Sequence, residues 1–64
     1  MIPVEIFNDI VGQYEETHLN AFHIMQSIPM EDGYFQVILS NGKWYKCKGK
    51  YILFISRMKA VLKG

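Results

Sequence analysis

The sequence predicts an α+β fold: an N-terminal helix or helical hairpin packed on a small antiparallel β-meander, with a short C-terminal helix. Three observations carry that prediction. Asn41-Gly42 lies between two runs rich in β-branched and aromatic residues, which is a strong hairpin signal. Ile6, Phe7, Ile10, Val11 and Tyr14 recur at helical spacing near the start of the chain. Half of the 64 residues are apolar and the mean hydropathy is close to zero, as expected of one folded domain rather than a disordered tail.

Pro3 suits the first turn of a helix, where its missing N–H costs nothing. A helix over residues 4–14 would place Glu5, Asn8, Asp9 and Gln13 opposite the apolar stripe, with Glu5 and Asp9 near the end that favours negative charge. Gly12 weakens its last turn by about 1 kcal/mol relative to Ala, and the Glu15-Glu16 pair opposes the dipole there. Thr17 can cap a second helix carrying Leu19, Phe22, Met25 and Ile28; a strand over residues 22–27 is the alternative. Ile28-Pro29 ends this segment, and residues 30–33 form a turn.

In the meander, a two-residue type I′ turn at Asn41-Gly42 places Leu39 opposite Trp44, Ile38 opposite Tyr45 and Val37 opposite Lys46. Phe35, Val37, Leu39, Trp44, Lys46 and Lys48 then share one face, while Tyr34, Gln36, Ile38, Lys43, Tyr45 and Cys47 share the other. Gly49-Lys50 fits a second tight turn, which makes residues 51–55 a third strand and residues 57–63 a helix capped by Ser56. A single helix competes with that reading. Tyr51, Phe54, Ile55, Met58, Val61 and Leu62 fall on one helical stripe.

Charge is sorted along the chain. All six acids precede residue 43 and all seven bases lie at or after it, so a net charge of +1 conceals a strong polarity. Exposed ion pairs contribute only ~0–1 kcal/mol each, so stability is a weak reason for such sorting and a partner is a better one. Lys43, Lys46, Lys48 and Lys50 interleave with Trp44, Tyr45 and Tyr51. With Arg57 and Lys59 they form the expected nucleic-acid surface: lysines neutralise phosphates and Tyr45 offers a ring for a base. The structural reading of Trp44 is core, packed across from Leu39, with Lys46 and Lys48 extending along it to water.

The two helices are expected to cover the Phe35/Val37/Leu39/Trp44 face, leaving Tyr34, Ile38, Tyr45, Ile52 and Phe54 partly exposed. A protein partner is therefore the alternative, contacted through Tyr34, Ile38, Tyr45 and Phe54 or through the acidic half at Glu15 and Glu16, as in a small inhibitor. With so thin a core, self-association into a dimer or higher oligomer is expected.

Other classes find no support. Cys47 is the only cysteine, so no intramolecular disulfide forms and a reduced, cytoplasmic setting is expected, with Cys47 a buried and inert thiol. The first five residues lack a basic n-region, and the longest apolar run, residues 51–55, is far short of the roughly 20 needed to span a membrane. His18 and His23 diverge on a helix or a strand, so neither arrangement builds a metal site. No phosphate loop, nucleophile elbow or cofactor motif is present, and the chain reads as a binding protein rather than an enzyme.

Overall fold

Ile2, Val4 and Ile6 point one way while Pro3, Glu5 and Phe7 point the other, the two-residue period of a half-buried strand. They form β1 (Ile2–Asn8), which pairs antiparallel with β2 (Gln13–Leu19). A 3-10 turn at Ala21–His23 leads into β3 (Ile24–Pro29), followed by β4 (Tyr34–Leu39), β5 (Trp44–Lys48) and a single helix, α1 (Tyr51–Lys63). The computed structural model describes residues 1–63. The strands make one antiparallel five-stranded sheet in the order β2-β1-β5-β4-β3, with a register shift in β3 between Ile24 and Gln26.

This arrangement overturns the expected N-terminal helix or helical hairpin. Residues 4–14 form the β1–β2 hairpin instead. Gly12 sits at φ +70° and donates to the Asn8 carbonyl at 2.8 Å, while Asn8 Oδ1 accepts from the Ile10 N–H at 3.0 Å. That side-chain turn stops a helix before it can propagate. The helix expected from Thr17 is also absent. Thr17 lies within β2, and the cap is Asn20, whose Oδ1 accepts from the Phe22 N–H at 3.0 Å for the short 3-10 turn. The alternative strand over residues 22–27 overlaps β3, and the turn expected at residues 30–33 is present, with Gly33 at φ +83°.

The Asn41-Gly42 hairpin forms, but not with the two-residue turn. The Leu39 N–H donates to the Lys43 carbonyl at 2.7 Å, so Ser40, Asn41 and Gly42 make a three-residue loop. Gly42 has φ +88° and Asn41 does not have positive φ, which is a type I turn closed by a left-handed glycine. The register moves by one residue: Ile38 opposes Trp44, Val37 opposes Tyr45 and Phe35 opposes Cys47. A one-residue slip changes which side chains share a face, so the expected pairs Leu39–Trp44 and Ile38–Tyr45 do not occur.

The strand expected over residues 51–55 is the first part of α1. The edge of β5 that such a strand would need is taken by β1, through Glu5↔Lys48 and Ile6↔Cys47. The competing helical stripe fits: Tyr51, Phe54, Ile55, Met58 and Val61 all pack on the sheet, although Leu62 is exposed. The core they cover is Ile2, Val4, Ala21, Phe35, Val37 and Cys47, with Phe54 itself only 3% exposed. Phe54 lies 4.7 Å from Phe35, ring centre to ring centre, and the Tyr51 hydroxyl meets Ser27 Oγ at 2.9 Å.

A chain of 64 residues has about 3–10 kcal/mol of stability in total, so one contact of this kind is a large share. Phe54→Ala should cost about 3–5 kcal/mol in urea unfolding, enough to unfold much of the protein. Ile52→Ala, on the outward side of the same helix and 74% exposed, should stay within about 0.5 kcal/mol of the parent. Equal effects at the two positions would contradict the orientation of α1.

Candidate interaction surface

The registers assign every strand residue to a face. On the face that α1 covers lie Ile2, Val4, Phe35, Val37, Tyr45 and Cys47. The opposite face has no helix over it. Across it run Glu16, Glu5, Lys48 and Tyr34 in one row and Tyr14, Phe7, Lys46 and Gln36 in the next, with Ile38 and Trp44 beyond.

Three aromatic rings touch in sequence there. Phe7 and Tyr14 are edge to face at 5.2 Å, and Tyr14 reaches Tyr34 at 5.8 Å. Two lysines lie over this row. Lys46 Nζ is 5.1 Å from the centre of the Tyr34 ring and Lys48 Nζ is 6.0 Å from that of Tyr14, within reach of cation–π attraction. Trp44 stands at the end of the same face, 62% exposed. Antiparallel pairing of β1 with β5 also brings the acidic part of the chain beside the basic part, since Glu5 is opposite Lys48.

The expected site residues are thus partly gathered and partly scattered. Lys46, Lys48, Tyr34 and Ile38 share the open face. Lys43 is exposed in the hairpin loop and Lys50 is exposed just before α1. Arg57 and Lys59 are exposed on the helix, of which Arg57 approaches Lys48 and Lys50 around a hollow at the sheet end. Tyr45 is half-buried on the helix-covered face, so it does not join the open aromatic row. Phe54 is buried between α1 and the sheet, so it does not join the open face. Trp44 is exposed rather than core. Glu16 lies on the open face opposite Glu5, while Glu15 is paired with Ile6 on the other.

Tyr14, Phe7 and Glu5 are the members that the sequence reading missed, because it placed them on a helix. Their signal was the alternation through β1 and the Asn8…Gly12 turn. His18 and His23 are both exposed and separate, and among the described residues no group of three or more acidic, histidine or cysteine side chains is placed to hold a metal ion. No described helix is long and apolar enough to cross a membrane. Comparison with protein-family models, curated proteins and solved structures finds no match.

Cys47 lies beneath the helix with no exposed surface, and burial pushes its thiol up from 9.0 to about 11 despite the lysines beside it in sequence. Desolvation therefore outweighs the neighbouring charge, and the thiolate needed for nucleophilic chemistry is disfavoured. The unfolded chain loses this proton first, so its contribution to stability is intact below pH 9 and falls as the pH rises through 11. Urea unfolding across that window should show a smaller loss for Cys47→Ala than for the parent. A disulfide reagent at neutral pH should label the parent only after unfolding.

Proposed function

We propose that the protein binds single-stranded nucleic acid on the open face of its sheet. The observation that carries this reading is the row Phe7–Tyr14–Tyr34 with Lys46 and Lys48 lying over it and Trp44 exposed beside it. Aromatic faces stack on bases whatever their identity, and lysines between them meet the backbone phosphates, which is how sequence-tolerant single-strand binders work. A strand running across β5 would keep the phosphates near Lys46 and Lys48 and extend toward Lys50 and Arg57 at one end. Lys59 takes no part, since of the two helical cations only Arg57 lines the hollow beside Lys48 and Lys50.

A second reading draws on the β1–β2 hairpin. Asp9, Glu15 and Glu16 line an acidic hollow of about 340 Å³, and the adjoining loop exposes Ile10 at 90% and Val11 at 56%. An acidic wall with an apolar tip suits a protein partner that presents basic side chains around an apolar recess.

The two readings separate in one titration series. Binding of an oligo-dT should weaken with salt, and Lys46→Gln with Lys48→Gln should flatten the log–log slope by about 1.4, while Lys59→Gln leaves it unchanged. Trp44→Ala should cost ~1–3 kcal/mol if a base stacks on the exposed ring. Absence of oligonucleotide binding at low salt would remove the first reading, and a partner captured through Asp9 and Glu15 would support the second.

A further inference from the structure

The β1–β5 ladder ends at Glu5↔Lys48. Beyond it β5 turns away at Gly49, whose N–H donates to the Gly33 carbonyl at 2.8 Å rather than to β1. Pro3 and Val4 are left without a strand partner on that side, and a notch of about 310 Å³ opens between them and the first turns of α1. Its floor is apolar, formed by Phe35 and Phe54. That volume is near the lower end of the ~300–1,000 Å³ typical of small-ligand sites.

The polar lining comes from both halves of the chain. β1 and β2 contribute Glu5 and Glu16, while β5 and α1 contribute Lys48, Lys50 and Arg57. Glu5 and Glu16 are directly opposed across the two strands, a like-charge pair that the fold retains at a cost. Glu5 also has Lys48 opposite it on its other side, whereas Glu16, on the edge strand β2, has only Glu5 directly across from it. Glu5, Glu16 and Lys48 belong to the open face, so the notch is continuous with the aromatic row.

We propose that the notch holds a guanine base of the bound strand, with Glu16 accepting from its Watson–Crick edge; this inference rests on the single-strand reading above. An ionised carboxylate only accepts hydrogen bonds. Guanine places two donors side by side, its ring N1–H and its exocyclic amino group, and one carboxylate takes both in the two-pronged geometry it also uses with guanidinium. Adenine and cytosine pair an amino donor with a ring acceptor, and thymine sets its one N–H between two carbonyls, so each turns an acceptor toward Glu16. Pro3 and the half-exposed Leu53 at the rim receive the ring, and Lys48, Lys50 and Arg57 receive the flanking phosphates.

Fluorescence anisotropy with labelled oligo-dT strands carrying one central guanine, hypoxanthine or adenine tests this. The guanine strand should bind roughly tenfold tighter than all-dT, the effect of one charge-assisted pair of bonds. Hypoxanthine, which lacks the amino group, should lose most of that gain. Glu16→Gln should abolish the preference while leaving all-dT binding equal or stronger, and Glu15→Gln, outside the notch, should retain it. Equal affinity for all strands, or a guanine preference that survives Glu16→Gln, would overturn the notch while leaving single-strand binding in place. No binding of any strand would overturn both.

Discussion

The register between β4 and β5 determines what this protein buries and what it presents. It is set by the bond from the Leu39 N–H to the Lys43 carbonyl and by Gly42 at φ +88°, which together hold a three-residue loop. A left-handed conformation costs most residues about 1–2 kcal/mol and glycine almost nothing, so the loop type depends on that residue. With this register Phe35, Val37, Tyr45 and Cys47 form a continuous apolar surface for α1. With a two-residue turn Lys46 and Lys48 would stand beneath the helix, where unpaired ammonium groups are too costly to bury.

The same constraint explains the composition of the open face. Once α1 is committed to one side by Phe54 and Tyr51, the other side must interact with water or a partner. Its half-buried tyrosines and long lysine stems cover one another, which lowers the exposed apolar area without a second layer. Row by row, the face passes from carboxylates on β2 and β1 to lysines on β5. The charge sorting along the chain thus becomes a gradient across strands. Its steepest step lies between Glu5 and Lys48, at the mouth of the notch.

Sequence reading located the hairpin, the turn at residues 30–33, the buried thiol and the cationic stretch, because each rests on local chemistry. It failed where one pattern fits two periods. Ile6, Phe7, Ile10, Val11 and Tyr14 satisfy a helical stripe, yet Ile2, Val4 and Ile6 satisfy a strand, and pairing with β5 decides for the strand. Residues 51–55 are continuous and apolar, as a third strand would be. Their partner edge is taken by the N-terminal strand, a contact more than forty positions distant that no local rule reports. Of the candidate site, the lysines were legible, while Tyr14, Phe7 and Glu5 became visible only when β1 lay beside β5. Trp44 was misplaced because the Asn-Gly pair permits two loop lengths.

Trp44 is the only tryptophan, which makes the register directly measurable. At 62% exposure on the face away from α1, its fluorescence in the folded protein should be red-shifted and readily quenched by both iodide and acrylamide. Unfolding in urea should then change the emission wavelength little. A blue-shifted emission that resists iodide in the folded state and moves to the red on unfolding would place Trp44 beneath the helix, contradicting both the register and the open face built on it.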